Sequence, residues 1–233
     1  MIHFFELPVF GFFITILSFY LAQRLKQRFN YILLNPVLIA IISIIVLLVL
    51  VDINFDTYNN GAKYLSFFLS PTIVALGVLF YEKYEQIKSN LKPFLTAVAI
   101  GGSISIITVT VLSILLNAPE IITRSLAAKS VTTPIAIEIT KIIQGIPSIT
   151  AGVVIAVGIF GNAFGVEILK FLGIKSLTAI GTALGTASHG IGTARAIEID
   201  KLAGAYSGLA MCVNGLITAV ITPYIVLFLL SQL

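Results

Sequence analysis

The residues that could do chemistry in this 233-residue chain lie in two short polar segments surrounded by apolar sequence. The first segment joins one basic residue to three hydroxyl residues, Lys129, Ser130, Thr132 and Thr133. The second places basic or titratable residues among hydroxyls and glycines: Ser188, His189, Gly190, Gly192, Thr193 and Arg195. Helix-like sequence flanks each segment, so we interpret each as a helix break. A helix that starts at a break presents free N–H groups, so the segments predict a site for a small anion, especially a carboxylate.

Each residue type suggests a role at this site. Thr133 and Thr193 are predicted helix N-caps, and the glycines let the backbone approach a ligand closely. Lys129 supplies a counter-charge, while His189 can add a donor or carry a coupled proton. Arg195 can hold a carboxylate through two hydrogen bonds. The alternatives are that Lys129 reaches water at the membrane interface, that His189 is structural and that Arg195 anchors the topology.

Two acidic residues follow the breaks, each three positions before a lysine. Glu138 precedes Lys141, and Glu198 precedes Lys201. Residues three apart share a helix face, so both pairs are predicted interfacial ion pairs. The second interpretation is that Glu138 and Glu198 couple a proton or a sodium ion to transport.

The two segments belong to an internal repeat. Ala127–Lys141, AAKSVTTPIAIEITK, returns sixty positions later as Ala187–Lys201, ASHGIGTARAIEIDK. Paired interrupted segments at corresponding positions point to a transporter's binding site. Each segment can cross the membrane as a discontinuous helix or re-enter as a hairpin. A hairpin followed by one span makes the repeats inverted, and counting positive charges favours that version.

Composition identifies an integral membrane protein. Hydrophobic residues make up 58% of the chain and charged residues 10%, and apolar runs recur along its length. The expected fold is an all-α polytopic bundle with two repeated discontinuous helices. We expect one membrane domain over 1–233, with four spans in 1–118 and the two-repeat core in 119–233. The net charge of +4 is too small and dispersed to predict nucleic-acid binding.

The predicted spans cover about 7–23, 32–51, 63–81, 94–116, 148–169 and 202–230, with possible kinks at Gly215 and Pro223 in the last one. A basic cluster of Arg24, Lys26 and Arg28 follows the first span, so the N-terminus is predicted outside. The charged stretch 81–93 is a predicted cytoplasmic loop.

No residue set predicts catalysis. His3, His189 and the lone Cys212 form no cluster of metal ligands, and no nucleophile motif surrounds the serines. We therefore expect no enzyme activity, no metal and no cofactor.

The strings KSVTTPIAIEI and GTASHGIGTARAIEID resemble signature segments of the LrgB/CidB family of bacterial inner-membrane proteins. That resemblance implies two accounts of function. In one, such proteins act with a smaller LrgA/CidA-type membrane partner in a holin/antiholin-like system that modulates murein hydrolase activity and lysis. In the other, relatives including the plastid glycolate/glycerate translocator move small monocarboxylates such as pyruvate.

The repeated breaks favour a monocarboxylate transporter, coupled to protons or sodium if it is coupled at all. The holin/antiholin-like function is the alternative, and a scaffold that only binds the partner is a third. A homodimer in the lipid bilayer is also expected.

Overall fold

The computed structural model describes residues 7–29 and 34–231. His3 and the first residues of the predicted second span therefore lie outside the described residues, and the side of the membrane on which the chain begins stays a prediction. The predicted all-α class is confirmed, because every regular element of the described ranges is helical. Clustering of contacts separates two units, 1–78 and 79–233.

The first unit contains α1 (Pro8–Phe29), α2 (Pro36–Leu50), α3 (Phe55–Ala62), a 3₁₀ helix (Lys63–Phe68) and most of α4 (Leu69–Glu82). Asn35 begins α2, and its side chain accepts hydrogen bonds from the backbone N–H groups of Val37 and Leu38. Helices α1 and α3 cross at glycines, since a Cβ at Gly11 would overlap the carbonyl of Tyr58. Helix α3 was not predicted, and the predicted third span starts as the 3₁₀ helix.

The second unit continues with α5 (Tyr84–Ser89), α6 (Leu91–Leu115), α7 (Glu120–Leu126), α8 (Thr133–Ile142), α9 (Pro147–Phe171), α10 (Leu177–Ile199) and α11 (Lys201–Leu230). Part of the predicted cytoplasmic loop is thus helical. Helix α6, which the sequence analysis grouped with the first spans, packs against α10 and α11. Helix α11 runs unbroken through Gly215 and Pro223.

Four of these helices, α1, α6, α9 and α11, are long and apolar enough to cross a membrane, and α2 is a shorter apolar helix. Each of these four helices extends beyond the corresponding predicted span by one or a few residues at one end or at both. The chain is therefore a membrane protein.

The first polar segment lies at the tip of a helical hairpin. Arg124, near the end of α7, donates from Nη1 to the carbonyl of Ile143, just beyond α8, at 2.6 Å. The backbone N–H of Ile146 donates to Ser125 Oγ at 2.7 Å. The chain thus leaves α7, turns through 127–132 and returns along α8 to the side of its starting point.

The second polar segment reverses the chain inside α10. Only Ser188 (φ −132°, ψ 15°) and His189 (φ 42°, ψ −135°) depart from helical geometry. A Cβ at Gly192 would lie 2.7 Å from the carbonyl oxygen of Leu184. Ile180 and Ala196 share one hydrophobic cluster, although a straight helix would separate them by about 24 Å. The halves 177–187 and 190–199 therefore lie side by side.

The predicted equivalence of the two breaks is not confirmed. The first break separates two helices over 127–132, whereas the second is confined to Ser188 and His189. Gly190 and Gly192 are helical, so the predicted break at 188–192 was too wide. The second break is shorter than the first because His189 adopts a positive φ, which lets the chain reverse over Ser188 and His189.

Both predicted N-caps are wrong. Thr132 is the cap residue of α8 and Thr133 is its first helical residue. Thr193 lies inside the second half of α10, where its Oγ1 donates to the carbonyl of His189 at 2.8 Å. Asp200 instead ends α10 and caps α11, because its carboxylate accepts from the N–H of Leu202 at 2.6 Å.

The reversal in α10 predicts that alanine destabilises the protein at one of two neighbouring glycines and is tolerated at the other. Gly192→Ala should destabilise the protein by about 1–3 kcal/mol, since its Cβ would press on the carbonyl of Leu184. Gly190→Ala is the matched control, because its Cβ would approach nothing closer than Met211 Sδ at 3.8 Å. Thermal unfolding in detergent, followed by helical circular dichroism, measures both. Equal melting temperatures for the two variants would contradict the hairpin.

Candidate functional site

The two hairpin tips meet at a cavity of about 630 Å³. Lys129 and Ser130 line it from the first tip, and Ala187 and Ser188 line it from the second. Helices α6, α9, α10 and α11 supply the remaining walls. The structure therefore brings together three of the predicted site residues, Lys129, Ser130 and Ser188, in the part of the chain that it describes.

Lys129 is the one charged residue that lines this cavity among the described residues. Its Nζ donates to Ser105 Oγ of α6 at 2.8 Å and to Ser130 Oγ at 3.2 Å. Ser105 and Ser130 also share a hydrogen bond of 2.8 Å. No carboxylate of the described residues pairs with the amine, in contrast to Lys141 and Arg195. An ammonium has three N–H donors, so one remains available to a ligand.

The hydroxyls of the cavity differ in how far they are already used. Ser188 is buried and is one of the lining residues, but its Oγ packs against Gly161 of α9, where a Cβ would overlap it, and this hydroxyl makes no hydrogen bond within the described ranges. Three threonines of α10 line the same cavity one turn apart. Thr182 Oγ1 donates to the carbonyl of Thr178 at 2.7 Å, and Thr186 Oγ1 donates to that of Thr182 at 2.8 Å. The remaining N–H of Lys129 therefore places a free donor of the cavity at the first tip.

Asn214 of α11 connects the two tips. This fully buried amide donates from Nδ2 to the carbonyl of Thr186 at 3.0 Å and to that of Ser130 at 3.4 Å. Its Oδ1 accepts from Thr218 Oγ1 at 3.4 Å. Gly102 of α6 makes room for it, since a Cβ there would overlap Oδ1. One side chain thus fixes the distance between the tips.

His189 belongs to the second tip but does not line the cavity. It is buried, and its Nε2 lies 3.0 Å from the carbonyl oxygen of Val154 in α9. Because a carbonyl only accepts, Nε2 carries the proton in this hydrogen bond. The ring packs against Gly158, where a Cβ would lie 2.8 Å from Cε1. The imidazole is thus held on the α9 side of the tip.

The other predicted binding residues lie outside the cavity lining. Thr132 and Thr133 are half-buried at the start of α8, Gly190 is exposed and Gly192 is packed against Leu184. Thr193 is buried and shares a hydrogen bond of 3.0 Å with Ser207. Arg195 pairs with Glu198 at 2.9 Å and lies 3.9 Å from Glu167 of α9, so protein carboxylates already surround it.

The acidic residues have partners at the surface. The predicted pair of Glu138 and Lys141 is confirmed at 2.7 Å, and both side chains are exposed. The predicted pairing of Glu198 with Lys201 is wrong. Glu198 binds Arg195, one turn earlier on the same helix, whereas Lys201 begins α11 beyond the cap at Asp200.

Sequence reasoning missed two residues that shape the site. Neither Ser105 nor Asn214 was among the predicted binding residues. Asn214 carried a usable signal, because an amide inside a long apolar helix must find hydrogen-bond partners. No local signal identifies Ser105, which matters only because the first tip reaches it.

Comparison with known proteins identifies the family of this chain from its sequence. The sequence model of the LrgB-like family matches residues 15–228. The chain belongs to the LrgB-like family. The resemblance seen in the two polar segments is thereby confirmed, and it extends over most of the chain.

Relatives in the LrgB-like family cover the chain almost end to end. The holin-like protein CidB of Staphylococcus epidermidis is 32% identical over 92% of this chain and 93% of its own length. The antiholin-like protein LrgB of Bacillus cereus is 31% identical over 95% and 97%. An uncharacterized protein of Haemophilus influenzae is 32% identical over 91% and 92%. No solved structure matches the chain.

The bridge between the tips predicts a large cost for losing the amide of Asn214. Asn214→Leu leaves the carbonyls of Thr186 and Ser130 without this donor and should destabilise the protein by about 1–3 kcal/mol. Thr218→Val is the control, because Thr218 only donates to Asn214 Oδ1 at 3.4 Å. Thermal unfolding compares them. A melting temperature of Asn214→Leu at or above that of the control would contradict the bridge.

Proposed function

We propose that this protein acts in the bacterial cell membrane as a holin-like or antiholin-like protein. The observation that carries this proposal is its likeness, over more than nine-tenths of the chain, to relatives named holin-like CidB and antiholin-like LrgB. The four helices suited to crossing a membrane support it. In this function the chain works with a small LrgA/CidA-type membrane protein and modulates murein hydrolase activity and cell lysis. A homodimer is part of the same proposal.

Deletion of the gene in its own bacterium tests this function. We expect the deletion to change the rate of detergent-induced autolysis and the murein hydrolase activity in zymograms. Expression of the wild-type chain should restore both, and should do so only where the small partner is also present. Unchanged autolysis and hydrolase activity in the deletion strain would contradict the proposal.

A second candidate function, transport of small monocarboxylates such as pyruvate or glycolate, is favoured by the surroundings of Lys129. An ionised side chain inside a membrane costs about 2.5–3.5 kcal/mol on insertion scales. Lys129 has hydroxyls but no carboxylate beside it among the described residues. A bound anion would therefore neutralise the charge of its ammonium group. Ala187 and Ser188 bring the opposite tip to the same cavity.

Coupling to protons or sodium belongs to this second candidate. Of the residues predicted for that role, His189 is buried beside the tips, so a change in its protonation can alter how the second tip packs on α9. Glu138 and Glu198 are exposed and paired with basic residues. We therefore assign the coupling role to His189 within this proposal.

Uptake by proteoliposomes tests the second candidate directly. Labelled pyruvate and glycolate should enter vesicles that contain the wild-type protein. Lys129→Met should reduce uptake at least about tenfold, because the carboxylate of the bound substrate would lose its ion pair with Lys129. Lys141→Met is the matched control, since Lys141 is exposed and pairs with Glu138 away from the cavity. No saturable uptake by folded wild-type protein would remove this candidate.

The variant Lys129→Met also separates the two functions in cells. If it restores normal autolysis to the deletion strain while uptake is lost, lysis control does not depend on the anion site. If Lys129→Met restores neither normal autolysis nor uptake, both activities use the same cavity.

A further inference from the structure

The cavity is elongated along α6, and Lys129 lies at one end of it. Its wall on α6 is one helix face, formed by Pro93, Phe94, Ala97, Gly101 and Ser105, and Asn90 adds to it just before the helix. Ser105 follows Pro93 by twelve residues, or about 18 Å along the helix. Lys129 contacts the Ser105 end, so the cavity is elongated and has its charge at one end.

The rest of the cavity is apolar and partly aromatic. Phe94 and Tyr206 meet edge to face there, with ring centroids 5.6 Å apart, and Phe160 contributes a ring from α9. Phe94 precedes Ser105 by eleven residues, about 16 Å along the helix axis. The threonine hydroxyls on α10 are turned to their own backbone. Beyond the tips, the described lining therefore offers few free donors.

A three-carbon acid is small for this space. It displaces about four waters, on the order of 120 Å³, whereas the cavity holds about 630 Å³. Cavities of roughly 300–1,000 Å³ with mainly apolar walls and a few converging polar groups fit larger organic ligands. One ammonium at one end suits one carboxylate, and a second carboxylate at the far end would meet no cation of the described lining.

We propose that the cavity binds monocarboxylates with an apolar or aromatic body, the carboxylate at Lys129 and the body along Gly101 and Ala97 toward the aromatic end. This inference rests on the second candidate function and specifies its substrate class. It adds that the apolar body increases affinity because it is removed from water against Ala97 and Phe160.

A pair of acids with the same head group tests this inference. Pyruvate and 2-oxo-4-phenylbutanoate differ only in the apolar body. Equilibrium binding to the full chain in lipid nanodiscs should show the phenyl acid binding about 10- to 100-fold more tightly. Lys129→Met should weaken the binding of both acids.

A space-filling variant locates the apolar body. Ala97 lines the cavity, so Ala97→Phe should reduce the advantage of the phenyl acid to less than about threefold while pyruvate still binds. Leu95→Phe is the control, because Leu95 is exposed on the same helix and does not line the cavity. The control should keep the full advantage of the phenyl acid.

The outcomes separate this inference from the function on which it rests. Equal affinities for the two acids, with both dependent on Lys129, would overturn the inference and leave pyruvate-type transport intact. Binding of the phenyl acid that Lys129→Met does not weaken would show partition into apolar space and would also overturn it. Absence of any Lys129-dependent binding would remove the anion site itself, and the inference with it.

Discussion

The structure of the second unit depends on the need to satisfy backbone carbonyls where helices break inside an apolar protein. Hydrocarbon offers no hydrogen bonds, so a break is tolerated only where protein or a water-lined cavity supplies partners. Asn214 reaches the carbonyls of both Thr186 and Ser130, and Thr193 reaches the carbonyl of His189 at the second tip. Gly102 leaves room for the amide of Asn214, because a larger residue at this position would displace it.

This dependence explains why the cavity has its polar groups at one end. Once Asn214 joins the tips, Lys129 and Ser188 face the same space from opposite hairpins. The helices that continue away from the tips carry alanines, glycines and aromatic rings, which pack closely but offer no charge. Among the described lining residues, the charge of the cavity is therefore the single amine of Lys129 beside the hydroxyls of Ser105 and Ser130.

The features of the fold and of the candidate site that could be predicted from the sequence are those that depend on residues close together in the chain. The membrane class and the long helices follow from apolar runs, and Lys129, Ser130 and Ser188 stood out because polar residues are rare in such a chain. The start of α8 was missed by one residue, and the second half of α10 resumes before the predicted cap at Thr193, because several residues near each boundary can cap a helix. The partners of Ser105 and Asn214 could not be predicted, since they lie 24 and 84 positions away along the chain.

The two tips also show how a repeat can diverge in chemistry while it keeps its sequence pattern. Lys129 and His189 occupy matching positions, yet only Lys129 faces the cavity. The difference follows from the backbone: at the second tip the whole reversal falls on Ser188 and His189, and the left-handed φ of His189 accompanies an imidazole held against α9 by the carbonyl of Val154. A small glycine at 158 leaves the space that this ring needs. The reversal therefore packs the side chains of both Ser188 and His189 against glycines of α9, so among the described residues the charge at the candidate site comes from the first tip, although the sequence of the two tips is repeated.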